Sequence, residues 1–377
     1  MDQTLNLSRA KLATHLAFFA TGFGIASWAP LIPYVKERAG YNDAQLGLIL
    51  LCLGVGSLIA MPLTGWLSAR YGSKPMVIIG GLGFGLFFPF LALSVDAWAL
   101  AATLLVLGAS AGTLDVSMNV HAVEVERIAD RPIMSAFHAL FSVGGIVGAG
   151  GVTLLLSYGL SPFTCALTSG AITIAATLLA WPRLLSARGA PVALVIPHGV
   201  VVLLAILIAI MFLVEGALLD WGALLLIEMK LSNAAQGGLG YVLFSVAMTI
   251  GRLYGDAVVT RIGNRMALVY GGLLTVVGIG ILIISPTLTQ AIIAFIIIGF
   301  GASNLVPVIF RLAGAQTFMP SALAIAAVTT TGYAGILLGP ALIGFVSQQT
   351  NLRFSFVLLA LFVALIPLAA KRATKAR

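Results

Sequence analysis

The chain has 377 residues, of which 60% are hydrophobic and only 8% charged, with a formal net charge of +8 and a mean hydropathy of +1.10. A water-soluble domain carries roughly 25% charged residues, so too few polar side chains exist here to cover a water-facing surface, and a soluble fold is excluded. Apolar runs of about 20 residues or more suit helices that cross a hydrocarbon core, and the short alternating segments of a membrane β-barrel are missing.

Apolar runs, read against charged or turn-forming breaks, predict spans at 11–35, 44–69, 75–95, 97–120, 134–157 and 161–182. A second set follows at 199–220, 234–258, 266–285, 288–310, 321–347 and 351–370. The expected fold is therefore all-α, with twelve transmembrane helices that satisfy their own backbone groups. Residues 1–10 are polar and precede a full-length first span, which reads as retained rather than as a cleavable leader. Cys52 and Cys165 sit in apolar runs and point to neither a disulfide framework nor a metal site. Gly80-Gly81-Leu82-Gly83-Phe84-Gly85 lies inside the third span with no flanking strand, so it is no phosphate cradle.

Charge placement sets the orientation. With a cytoplasmic N-terminus, one side holds Arg9, Lys11, Arg70, Lys74, Arg127, Arg131, Arg183, Arg188, Arg261, Arg265, Arg311, Lys371, Arg372, Lys375 and Arg377. The other side holds Lys36, Arg38, Lys230 and Arg353. Positive residues favour the cytoplasmic side, so both termini are placed there. The basic charge is topological information and does not imply a nucleic-acid partner.

The segment 182–197 is a break rich in Pro and Arg near mid-chain, which prompts a search for a repeat. A shift of 191 residues lays Asn42-Asp43-Ala44-Gln45-Leu46-Gly47 on Asn233-Ala234-Ala235-Gln236-Gly237-Gly238, and Arg70-Tyr71-Gly72-Ser73-Lys74 on Arg261-Ile262-Gly263-Asn264-Arg265. It also lays Gly80-Gly81 on Gly271-Gly272, and Gly144 and Gly148 on Gly335 and Gly339. A two-residue slip puts Ser27-Trp28 on Asp220-Trp221. The expected organisation is two pseudo-symmetric six-helix halves, 1–182 and 199–377, joined by a cytoplasmic linker at 183–198. Parallel repeats of this kind suit transport by alternating access to a site near the midplane.

An ionised side chain at the bilayer centre costs roughly 2.5–3.5 kcal/mol on insertion scales, so few are kept without a function. Asp115, deep in the fourth span, and His138, early in the fifth, could approach each other as a pair that loads and releases a proton. A fixed lock between the two helices, or direct substrate contact, would use the same residues. Asn119 lies one turn after Asp115 on the same face, as a substrate-binding group or a helix–helix hydrogen bond. Glu215 in the seventh span is a third candidate for proton coupling. Asp220, Trp28, Trp221, Asn304 and Tyr333 are candidates for lining a substrate site, with Trp28 and Trp221 alternatively anchors at the headgroup layer. Asn304 and Pro307 are expected to interrupt the tenth span. Arg70, Lys74, Glu124, Glu126, Arg127, Arg261 and Arg265 are expected to form a cytoplasmic gate of ion pairs.

The loop Gly65-Trp-Leu-Ser-Ala-Arg70-Tyr-Gly72-Ser-Lys74 resembles the cytoplasmic signature of the Major Facilitator Superfamily, with Ala69 where that signature has an acidic residue. The run Asp115-Val-Ser-Met-Asn119-Val-His-Ala-Val-Glu124-Val-Glu126-Arg127 further resembles the fucose-permease-like branch and YbjJ-type bacterial inner-membrane proteins. Phe137-His138, Glu215-Gly216-Ala-Leu-Leu-Asp220-Trp221 and Gly251-Arg252-Leu-Tyr-Gly255-Asp256 add to that likeness. The resemblance implies a monomeric secondary transporter in a bacterial inner membrane. It also implies an acidic residue paired with an Asn, here Asp115 and Asn119, in proton coupling and sugar binding. Residues 12–34 lack the acidic residue that those permeases carry on their first helix.

Secondary active transport is the expected function, with proton symport of a sugar-like or polar metabolite first. A proton-antiport exporter and a non-transporting receptor on a transporter fold are the alternatives. No nucleotide-binding motif or clustered nucleophiles suggest a pump or an enzyme. No cofactor or metal is expected; the partners are a small solute, protons and the lipid bilayer.

Overall fold

The computed structural model describes residues 2–94, 96–130, 133–185, 197–319 and 321–375, without the side chains of 2–6, 134, 135, 256, 321–323, 325 and 326. Arg131, Arg188, Arg377, most of the predicted linker 183–198 and the side chain of Asp256 fall outside the described residues. Every regular element among the described residues is helical.

The first half begins with α1, which runs through Asp2–Trp28, a 3-10 turn at Ala29–Leu31 and Ile32–Ala39. It continues with α2 (Asp43–Tyr71), α3 (Ser73–Phe87, extended by Phe90–Leu93), α4 (Ala97–Ala129), α5 (Met134–Ser157) and α6 (Pro162–Ala180). The second half begins with α7 (Val200–Glu228). A continuous helical segment, Leu239–Ile284, breaks at Gly263 (φ 79°, ψ 159°), which separates α8 (239–262) from α9 (264–284). Then come α10 (Leu288–Ala302 and Leu305–Ala315), α11 (Ser321–Gln349) and α12 (Leu352–Lys375). Among the described residues eleven helical segments are long and apolar enough to cross a membrane, and Leu239–Gly255 within α8 is a shorter apolar helix. The protein is a multi-pass helical membrane protein.

The chain packs into two compact units. One comprises Met1–Tyr41 and Ile49–Val192, the other Asn42–Leu48 and Ala193–Arg377. Within the first unit α1 packs along α5, and α3 packs on α4 and α6. Its best-buried cluster joins Ala17 and Phe18 of α1, Leu114 and Met118 of α4, Phe137 of α5 and Ala180 of α6. Arg38 at the end of α1 closes α3 by donating to the carbonyls of Leu91 and Ser94, each at 2.8 Å, and to that of Ala92. One guanidinium thus answers acceptors that the end of a helix leaves open. In the second unit α7 packs along α11. The first turn of α2 belongs to this unit as well: Asp43 accepts from the Ser347 hydroxyl of α11.

The duplication is visible in backbone detail, each half taken alone. Gly72 has φ 88° and ψ 162°, and Gly263, 191 residues on, repeats that conformation at 79° and 159°. Only glycine occupies such a region without strain, which explains a glycine at both sharp breaks. Asn42 caps α2 by accepting from the Gln45 amide at 2.9 Å, and Asn233 accepts from the Gln236 amide at 3.0 Å. A methyl group on Gly108 would lie 1.7 Å from the Leu53 carbonyl oxygen, and one on Gly299 would lie 2.4 Å from that of Phe244. Both members of that α4–α2 contact recur on α10 and α8 at the same offset. Small residues permit such close helix approach.

One part of the sequence alignment is corrected. Gly144 and Gly148 face the carbonyls of Phe19 and Phe23, whereas Gly335 and Gly339 face Ala209 and Leu213. On α1 and α7 the packing register is therefore 190 residues (209 − 19 and 213 − 23), not the offset that pairs Trp28 with Trp221. Trp28 corresponds to Leu218. The two registers differ by three residues, nearly one helical turn, so both lay similar faces on each other.

Candidate functional site: an ion pair beside a broken helix

Pro307 lies four residues after Ser303 and has no N–H, so the Ser303 carbonyl loses its ordinary helical donor. α10 stops at Ala302 and restarts at Leu305, with Asn304 at φ −107° and ψ −4°. This is the interruption that Asn304 and Pro307 led us to expect. Side chains occupy the gap. Asn304 Nδ2 donates to the Gly251 carbonyl of α8 at 3.1 Å and to Ser303 Oγ at 2.9 Å. Arg252 Nε donates to the freed Ser303 carbonyl at 3.4 Å. The two helices meet here because α8 presents glycines: a methyl on Gly255 would lie 1.7 Å from Asn304 Oδ1, and one on Gly251 2.5 Å from Ser303 Oγ.

The other arm of Arg252 reaches α7, where Nη2 lies 3.4 Å from Glu215 Oε1. Neither side chain is sealed off, with 38% of Arg252 and 25% of Glu215 exposed. A charge of either sign within a span is costly alone, and each offsets the other. Tyr241, three turns earlier on α8, is close enough to Glu215, Asp220 and Arg252 to feel their charges. Asp220 is half-buried. Tyr333 of α11 meets Phe212, one turn before Glu215, edge to face with centroids 6.0 Å apart. Glu215, Asp220, Asn304 and Tyr333 were legible as candidates; Arg252, Ser303 and Tyr241 were not.

The first half holds a separate group. Asp115 and Asn119 are half-buried on α4, and Asn119 Nδ2 donates to the Asp115 backbone carbonyl at 2.9 Å. The amide donor serves its own helix in this structure. His138 is exposed on α5 and meets the Phe18 ring edge to face at 5.0 Å. Sequence reading missed His121, which is fully buried. Its Nε2 accepts from the Leu185 amide at 2.8 Å, so the ring proton resides on Nδ1, 3.0 Å from Thr14 Oγ1. His121 therefore ties α1 and α4 to the segment after α6.

The remaining candidates are placed as follows. Trp28 and Trp221 are 4% and 0% exposed, with indole N–H groups lacking any acceptor among the described residues. In the gate group, Glu124 is held by Arg127 of its own helix through bonds of 2.7 and 2.9 Å. Glu126 accepts from the Ile133 amide at 2.7 Å, across the turn from α4 to α5. Arg70 lies over the rings of Trp66 and Tyr71, at 5.7 and 5.3 Å. Lys74 is half-buried, and Arg261 and Arg265 are exposed. Arg265 lines a cleft with Gly263, Asn264, Leu312 and Thr374. No group of three or more His, Cys, Asp or Glu among the described residues is placed to hold a metal.

Residues 14–159 match the sequence profile of the Major Facilitator Superfamily. The chain is 46% identical over 368 residues to an uncharacterised MFS-type transporter of Yersinia pestis, covering 97% of this chain and 96% of that one. Among solved structures it is similar to a mutant of the nucleoside transporter NupG, with a TM-score of 0.77 at 14% identity, covering 98% of this chain and all of that one. It is equally similar to a bacterial homolog of the human lysosomal transporter Spinster, with a TM-score of 0.77 at 13% identity, covering 98% and 97% of the two chains.

Proposed function

The chain belongs to the Major Facilitator Superfamily and is a secondary transporter; on that premise we propose that it carries a small polar, sugar-like metabolite by proton symport. The observation that carries this reading is the Glu215–Arg252 pair beside the break in α10. Broken helices supply binding groups in transporters because their freed backbone polar groups face a cavity instead of lipid. Here the break brings Asn304, an arginine and a carboxylate together, with Tyr241 and Tyr333 nearby, an array that suits hydroxyl-rich solutes.

In this reading Glu215, Asp115 and His138 carry protons, and Asn119, Asp220, Trp28, Trp221, Asn304 and Tyr333 contact the solute. The halves 1–182 and 199–377, linked by 183–198, alternate access, with Arg70, Lys74, Glu124, Glu126, Arg127, Arg261 and Arg265 at the cytoplasmic mouth. The protein works as a monomer in a bacterial inner membrane with both termini in the cytoplasm, the orientation that its distribution of basic residues favours. The test is a thermal-shift screen of sugars and other small metabolites on purified protein, with hits taken into liposomes under an imposed proton gradient. Uptake accelerated by an inward proton gradient supports symport. Uptake driven only by an outward-directed exchange of protons identifies an antiport exporter, and binding with no flux under any gradient identifies a receptor.

A further inference from the structure

We propose that Arg252 is a positioning residue that transmits the charge on Glu215 to the bend of α10. The inference rests on the proton-carrier reading of Glu215 and extends it to a mechanical consequence. Two acceptors share the guanidinium, Glu215 Oε1 through Nη2 and the Ser303 carbonyl through Nε, each at 3.4 Å. Both distances exceed the ~2.9–3.0 Å typical of an N–H···O bond. They also exceed the 2.7 and 2.9 Å of the Glu124–Arg127 pair in the same protein. Arg252 thus occupies an intermediate position, pulled from both sides and closed on neither.

The Ser303 acceptor exists because Pro307 removed its helical donor, and it marks the point where α10 bends. A donor seated on that carbonyl stabilises the bent helix, as happens wherever a side chain replaces a missing helical bond. With Glu215 ionised, the carboxylate draws the guanidinium toward α7. With Glu215 protonated that pull falls away, Arg252 settles on the Ser303 carbonyl, and the bend sharpens. Among the described side chains few other ionisable groups compete, and on α8 itself Asp256 follows Arg252 by four residues in sequence. Tyr241 of α8 lies within electrostatic reach of Glu215, Asp220 and Arg252, and Tyr333 of α11 packs against Phe212, one turn before Glu215. Residues 288–310 of α10 and 354–370 of α12 contain no ionisable side chain. The gatekeeping of proton occupancy and the shape of a helix at the solute site become one event.

The experiment places spin labels on exposed Thr289, in the first turn of α10, and Thr317, two residues past its end, with Cys52 and Cys165 replaced by serine, and reads the distance by pulsed electron resonance in lipid nanodiscs. The distance should shorten when the parent protein is taken from pH 8 to pH 5. Glu215→Gln should show the short distance at both pH values, and Asp220→Asn should retain the pH response. Arg252→Ala should lock the long distance; if that variant does not fold, Arg252→Lys, whose compact ammonium lacks the guanidinium's rigid fork of donors, should reduce the response. Pro307→Ala, which restores the helical donor, should lengthen the distance and abolish its dependence on Glu215. A distance in Glu215→Gln that matches the parent at pH 8, or that lengthens, overturns the proposal. Loss of proton-coupled flux in Glu215→Gln with an unchanged distance would discard the lever and keep the proton carrier. A shortened distance with coupling intact would discard the carrier and keep the lever.

Discussion

At the scale of single residues, the informative side chains are charges in places that lipid makes costly. Of the twenty Lys and Arg residues, the predicted spans assign fifteen to one side and four to the other; the one left over is Arg252. That remainder was in the sequence, but an arginine in an apolar run carries no sign of its partner. Glu215 is 37 residues away, and the Ser303 carbonyl is a backbone atom exposed by a proline downstream. His121 was hidden for a similar reason, since its acceptor role depends on the Leu185 amide brought back by the chain after α6. Trp28 and Trp221 show another limit: a tryptophan beside a polar residue reads alike in sequence whether it is exposed or, as both are here, buried. Two outcomes are expected in the first half. Asp115→Asn should abolish proton-coupled flux, by about 100-fold or more for a lost proton-transfer group, while the protein keeps its melting temperature. His138→Ala should displace the pH optimum of uptake, and an unaltered pH profile would assign His138 to packing against Phe18.

At the scale of elements, helix existence was plain and helix length was not. The fourth and seventh spans were expected to end at residues 120 and 220, yet α4 and α7 run to Ala129 and Glu228. Hydropathy detects the part of a helix in lipid, whereas hydrogen bonding continues it into water. Close packing is likewise invisible in composition, since all 42 glycines look alike. The structure separates them. Gly108→Leu and Gly299→Leu should each force α4 from α2, or α10 from α8, and destabilise by about 1–3 kcal/mol or more. Gly151, on α5, has nothing within 4 Å of where a methyl would stand, so Gly151→Ala should be neutral or stabilising by up to ~1 kcal/mol. Thermal melts of the three variants in one detergent check this directly, and equal effects at Gly108 and Gly151 would refute the packing assignment.

At the scale of the whole molecule, the duplication was legible because it left marks at several sites with one offset, and the structure repeats those marks in φ and ψ, in caps and in helix packing. The slip at Trp28 shows the limit of such matching: within one helix, a displacement near one turn preserves the pattern of faces while changing every partner. The proposed orientation makes a simple prediction. Single cysteines introduced at Arg9 and Thr374 should react with an impermeant thiol reagent only from the cytoplasmic side, and one at Asn351 only from outside.

The central claim is that solute and proton cross together and that Glu215 carries the coupling. Liposomes containing the purified protein, lightly buffered and voltage-clamped with potassium and valinomycin, should show alkalinisation of the external medium when a transported solute is added outside. Glu215→Gln should bind the same solute without that pH change. Solute uptake that leaves the external pH untouched in the parent protein, or an undiminished pH change in Glu215→Gln, would contradict the account.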